Sequence, residues 1–280
     1  MDADLVQNQR LEPSYETMPA DTFGQRFIES LADKTVTMAY GRLSVDRADF
    51  MSDALLITYR PTDDQTDLPT ASGSGASAKI ASRIYRAQLG NERMKHVRWW
   101  FETELATALA SGPATRNSLI NEPVVTLDDR NPDRTDILHE YFVSPDRFAD
   151  FVSLCRTVIP GSYQEFLNVT LRYVDSDPES WLSYATTPRI AAVMSFSQEM
   201  TARAEADMQR MTQELIEGVI AIGGTYYLPY RLPARQDQLI RAYPRASDFA
   251  AAKRELDPNL LMRNNLWDSY LRALLSLIHI

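Results

Sequence analysis

Two short runs carry side chains suited to an oxygen-bearing ligand. In Phe166 to Val174 (FLNVTLRYV), alternation puts Leu167, Val169, Leu171 and Tyr173 on one face and Asn168, Thr170 and Arg172 on the other. In Asp136 to Val143 (DILHEYFV), the same period sets His139 and Tyr141 opposite Leu138 and Phe142. If the two polar faces pair, His139, Tyr141, Asn168, Thr170 and Arg172 make one surface. An arginine there stays charged and donates two parallel hydrogen bonds, which suits an anion or a hydroxyl-rich substrate. The same alternation also describes strands whose polar faces meet solvent, and both readings stand at this stage. Tyr226, Tyr227 and Tyr230 likewise read either as reactive phenols or as a packed aromatic strand.

Other signals carry less. Gly73 to Ala78 (GSGASA) has the outline of a phosphate-binding turn, but a polar spacer and no apolar strand precedes it, so it reads as linker. Arg83, Arg86, Arg93, Lys95 and Arg98 line one helix flank near Trp99 and Trp100. In a chain of net charge −9 that flank reads as a solvated or domain-contact face rather than a nucleic-acid site. His96, His139 and Cys155 have no metal-ligand spacing, so no metal is expected. A single cysteine excludes an internal disulfide and fits a reducing compartment. With 44% apolar and 24% charged residues among 280, no secretory signal and no apolar run near the roughly 20 residues that span a bilayer, a soluble cytoplasmic protein is expected.

The elements that must position these groups follow from periodicity. Strands are expected at Arg10 to Met18, Thr35 to Leu43 and Ala54 to Tyr59. Helices are expected from Asp21-Thr22, with Phe23, Phe27, Ile28 and Leu31 inward, and at Arg47 to Met51. Residues 62–76 read as a flexible loop and 77–111 as one long helix bent at Gly90, with an irregular connector from Ala114 to Thr135. Then come strand Asp136 to Val143, a helix opened by Ser144-Pro145 that buries Phe148, Phe151, Val152, Cys155 and Val158, and strands Phe166 to Val174 and Ile190 to Phe196. A helix from Thr201 to Ile222 follows, stopped by Gly223-Gly224. The fold class expected is α+β, an antiparallel sheet with helices on one face.

Gly223 to Leu271 joins a Gly-Gly turn, the aromatic run Tyr226-Tyr227-Leu228-Pro229-Tyr230, two helical patches and an Asp257-Pro258-Asn259 stop before Arg263-Asn264. That order resembles the closing segment of FAD-linked oxidases of the vanillyl-alcohol-oxidase-like superfamily, among them sugar-lactone, alditol and decaprenylphosphoryl-ribose oxidases. Weaker resemblance reaches back to Glu12. Thr170-Leu171-Arg172 sits where those enzymes carry Glu-x-Arg, keeping the arginine and losing the glutamate. Tyr230, with Arg231 beside it, takes the place of their lysine.

The resemblance implies a substrate-side cap, residues 1–232, and a C-terminal segment, 233–274, that returns to an FAD-binding domain outside this chain, present in cis or as a partner chain. The cofactor implied is FAD, bound mainly by that domain, with Asn264 or Asn265 beside its ring. The reaction implied is oxidation of a hydroxyl-bearing small-molecule substrate by hydride transfer to flavin. Tyr230 or His139 would move the hydroxyl proton and Arg172 would orient the substrate or stabilise negative charge. Tyr141, Asn168, Thr170 and Arg231 are the expected substrate contacts. The alternative from a different class is a stand-alone α+β binding or interaction module without redox activity. Leu275 to Ile280 (LSLIHI) resemble a translated sequencing adapter and are expected to be a non-native tail, against the alternative of a natural helix end.

Overall fold

The computed structural model describes residues 6–68, 83, 85–105, 114–121, 131–231 and 233–274. The chain forms two compact units, Met1–Thr135 and Asp136–Ile280.

In the first unit β1 (Arg10–Pro19), β2 (Met38–Leu43), β3 (Asp53–Pro61) and β4 (Ala114–Thr115) lie in the order β4-β1-β3-β2. Neighbours run antiparallel, with Tyr15 and Tyr40 both opposite Ile57. Alternation in β3 sends Leu55, Ile57 and Tyr59 into a core with Leu11, Tyr15 and Tyr40. α1 (Phe23–Ala32) packs against β3 and buries Phe23 and Phe27. Trp99 of α2 (Glu92–Trp100) and Leu119 of α3 (Arg116–Ile120) close the Leu55–Tyr59 side.

Three expectations for this half need correction. The helix expected at Arg47 to Met51 is a hydrogen-bonded turn. Ser44 donates its hydroxyl to the Asp49 carbonyl at 2.7 Å and Asp46 accepts the Asp49 N–H at 3.0 Å, so side chains compete with the helical pattern. The single helix over 77–111 is interrupted. Ala87 to Gly90 form a turn, Gly90 takes φ 65°, and Asn91 caps a new start by accepting the Met94 N–H at 3.2 Å. Its ends, and most of the loop expected at 62–76, lie outside the described residues, as do Gly73 to Ala78 and the tail from Leu275. The connector from Ala114 is ordered at its start, where β4 pairs with β1 and Thr115 and Ser118 form a reciprocal cap on α3.

The second unit orders its strands β6-β7-β5-β8, from β5 (Arg134–Val143), β6 (Glu165–Val174), β7 (Arg189–Glu199) and β8 (Thr225–Tyr226). The β6–β7 and β5–β8 pairings are antiparallel. α4 (Phe148–Val158) and α5 (Ala202–Ala221) pack on each other. Thr201, where the sequence starts this helix, caps α5 by accepting the Ala204 N–H at 3.1 Å. The α5 stripe Ala204, Met208, Met211, Leu215 and Val219 is buried.

Gly223, at φ 76°, ends α5, and Gly224 lets β8 lie close on β5: a Cβ there would sit 2.7 Å from both the Phe142 carbonyl oxygen and Val219 Cγ1. α6 (Gln236–Ala242) and α7 (Ala246–Leu256) follow. Glu217 of α5 accepts from Arg235 and Arg241, and Gln238 donates to the Gln213 carbonyl at 3.0 Å, so the C-terminal segment is built into this unit. A π-turn at Trp267–Leu271 leads into α8 (Arg272–Leu274). No helix among the described residues is long and apolar enough to cross a membrane.

Candidate functional site

β8 shields only a short piece of β5. Tyr226 lies opposite Tyr141 and the Tyr227 N–H reaches the Glu140 carbonyl at 2.9 Å, after which Pro229 offers no donor and the chain turns away. The stretch of β5 before Glu140 therefore has no β8 neighbour, and a cavity of about 850 Å³ opens beside it. His139 forms its floor. Glu205, Met208, Gln209 and Thr212, spaced along one stripe of α5, form a wall. Leu228 to Arg231 form a second wall, and Asn264 to Leu266 with Ser269 close it.

The closing wall is held in place locally. Asp257 accepts the N–H groups of Leu261 (2.9 Å) and Met262 (3.0 Å) and pairs with Lys253, which together hold its carboxyl at a pKa of about 2. Asn264 then accepts the Trp267 N–H at 2.9 Å, leaving its amide NH₂ as a donor.

His139 is 7% exposed. Burial first, and then the Arg231 charge, lower its pKa to about 4, so it is neutral near pH 7. The tautomer follows from its neighbours. Thr212 donates its only hydroxyl proton to the Met208 carbonyl at 2.6 Å, so at 3.4 Å from His139 Nε2 it must accept. Nδ1 is then the acceptor for the Tyr141 hydroxyl at 3.3 Å.

Arg231 forms a 2.7 Å ion pair with Glu205, which also accepts from Gln198 at 2.8 Å. The Gln198 bond and then Arg231 hold the Glu205 carboxyl below its usual range, against the effect of burial. Tyr230 stands 4.8 Å, ring to ring, from Tyr227. Burial, then the Glu140 charge, raise its pKa while Arg172 opposes, so the phenol keeps its proton and donates.

The structure thus collects His139, Tyr230, Arg231, Asn264 and Asn265 around one cavity. It does not make the shared polar surface expected of His139, Tyr141, Asn168, Thr170 and Arg172. β7 separates β5 from β6, and the His139 ring lies 4.9 Å from Phe196, whose strand partner is Phe166. Continuing that register past the bulge between Phe166 and Asn168, Val169 and Leu171 share the His139 face, opposite Met194 and Ala192. Asn168, Thr170 and Arg172 point to the other side. There the Arg172 charge lowers the Glu140 pKa, although burial raises it overall. Tyr141 is 1% exposed, packs 6.1 Å from the Phe151 ring, and reaches only a narrow extension of the cavity. Tyr173, grouped by alternation with Leu167, Val169 and Leu171, is exposed at the end of β6 while those three are buried.

Sequence reasoning passed over Glu205, Gln209, Thr212 and Ser269. The helical spacing of Glu205, Gln209 and Thr212 beside the apolar stripe of α5 was a readable signal. Nothing in the sequence set Glu140 apart.

The α+β fold is similar to that of two solved cholesterol oxidase structures. Cholesterol oxidase from Brevibacterium sterolicum is similar at TM-score 0.54 and 11% identity, over 94% of this chain and 60% of that one. A mutant of the same enzyme gives TM-score 0.52 and 12% identity, over 94% and 59%. A solved structure of 6-hydroxy-D-nicotine oxidase from Arthrobacter nicotinovorans gives TM-score 0.37 at 11% identity, over 90% of this chain and 53% of that one. This chain therefore spans about 60% of the length of the first of these. No protein-family model matches the sequence, and no curated protein does.

Proposed function

We propose that this chain is the substrate side and C-terminal portion of an FAD-dependent oxidoreductase acting on a hydroxyl-bearing small molecule. The observation that carries the proposal is the cavity that brings together His139, Tyr230, Arg231, Asn264 and Asn265, on an oxidase fold. The donor set fits one edge of a flavin. The Asn264 amide has its NH₂ left to give, and Asn265 is exposed at the same rim. The cavity does not fit the whole dinucleotide, because Arg231, the one lining cation among the described residues, is already paired with Glu205 and gives no cradle for a pyrophosphate. The reading therefore keeps the main FAD-binding domain outside this chain, in cis or on a partner. When bound, the flavin supplies the hydride acceptor.

The residues of this chain divide the remaining work. Met208, Leu228 and Leu266 offer apolar contact to the carbon body of a substrate. Tyr230, protonated and within the fields of Glu140 and Arg172, would hold the substrate hydroxyl and take its proton while giving its own to solvent. His139 uses both nitrogens internally, so its part is to hold the floor as a neutral ring. Arg172 acts on this site through the field it shares with Tyr230 and Glu140.

The test is to express the chain with FAD and record flavin absorbance before and after supplying the separate FAD-binding domain. Little flavin on the chain alone and substrate-dependent bleaching after reconstitution are expected. Stoichiometric yellow protein without the second domain would refute the division of labour. No bleaching with any alcohol would favour the binding-module alternative.

A further inference from the structure

We propose that Asp46, Asp49 and His96 bind one divalent transition-metal ion of the zinc or manganese kind, fastening the β2–β3 turn to α2. Asp46 and Asp49 lie three positions apart in the β2–β3 turn, and His96 comes from α2, remote in sequence. Their ligand atoms all fall within 4.8 Å of one another.

The decisive atom is Asp46 Oδ2. Asp46 is 2% exposed; its Oδ1 accepts the Asp49 N–H at 3.0 Å, but its Oδ2 is buried without a hydrogen-bond partner. That oxygen looks toward His96 Nδ1 at 3.9 Å, too far for a hydrogen bond. A buried carboxylate oxygen without a partner is costly, and an ion is one of the ordinary ways to satisfy it.

Two ligands on one zinc ion at about 2.1 Å each stand at most about 4.2 Å apart, so the 3.9 Å gap between Asp46 and His96 admits an ion between them. Asp49 and His96 are exposed side chains, free to draw in, and water can complete the shell. The nearby cations face Glu92: Lys95 Nζ lies 2.7 Å and Arg47 Nε 3.9 Å from its carboxylate. Two carboxylates and an imidazole without a thiolate suit zinc or manganese, whereas magnesium and calcium prefer oxygen throughout.

The experiment strips the full chain with a chelator, dialyses it against Zn²⁺, Mn²⁺ or Ca²⁺, and counts bound metal by elemental analysis with calorimetry for affinity. One equivalent of Zn²⁺ or Mn²⁺ in preference to Ca²⁺, and a melting temperature raised by that metal, are expected. Asp46→Asn keeps the acceptor for the Asp49 N–H, and His96→Gln changes an exposed side chain, so His96→Gln carries the test if the first variant folds poorly. Each should weaken binding at least about tenfold. No bound metal, equal affinity in both variants, or a preference for Ca²⁺ would overturn the assignment. So would a pH-dependent loss of stability in His96→Gln without any metal response, which would mark a plain Asp46–His96 ion pair.

Discussion

β5 carries polar residues on both faces, and the two faces handle them in opposite ways. On one, His139 and Tyr141 are buried and bond to each other, and His139, at the floor of the cavity, also bonds to Thr212 of α5. On the other, Glu140 lies within the field of Arg172 and Tyr230. The alternation of the strand is identical on both faces, so alternation says which residues travel together and not which side is covered. What separates the faces is whether partners exist inside. A helix with a threonine at the right turn makes a buried imidazole tolerable; a carboxylate has no such neutral form near pH 7 and stays where an arginine and solvent can reach it.

The contrast can be broken most forcefully from the covered side. Phe151→Ala, at a fully buried ring 6.1 Å from Tyr141, is expected to cost about 3–5 kcal/mol by urea unfolding. A loss below about 1 kcal/mol would mean that α4 does not seal this face.

Next comes pH. The His139 pKa in the folded chain is lowered to about 4, below an unfolded value near 6.5. Between those values the unfolded chain binds a proton that the folded one refuses. The stabilisation is therefore full above about pH 6.5, is lost as pH falls toward 4, and amounts to about 3 kcal/mol. His139→Gln should flatten that part of the stability profile, and an unchanged slope would assign it to other groups.

Tyr230→Phe sharpens the comparison at the cavity, which Tyr230 lines with His139 while lying within the fields of Glu140 and Arg172. In the reconstituted flavoenzyme it should lower kcat on the order of 10²-fold with little change in melting temperature. Unaltered turnover would remove Tyr230 from the chemistry. Smallest of all, Glu140→Gln or Arg172→Met should shift unfolding free energy by less than about 1 kcal/mol, in keeping with a partly solvated pair. A larger loss would show that this face is covered after all.

Much of the frame was legible. Helix α5 could be read with its start near Thr201 and its Gly223-Gly224 stop, because apolar period and left-handed backbone are local chemistry. The strands at Arg10, Ala54 and Phe166 followed from their period. The interruption at Gly90 and Asn91 was legible only as a bend, since the apolar spacing runs on through it. The covered face of β5 was not readable, because His139 and Tyr141 count as polar until Thr212, brought in by α5, accounts for their hydrogen bonds. Asn264 and Asn265 came from resemblance rather than spacing. The group of Asp46 and His96 was beyond any local pattern, as it exists only once the β2–β3 turn meets α2.

Gly224 leaves a mark of another kind. With the Phe142 carbonyl and Val219 crowding the place where a side chain would begin, any larger residue here must push β8 away from β5. The wall from Leu228 to Arg231 follows directly from β8, so the width of the cavity is set in part by a missing methyl group.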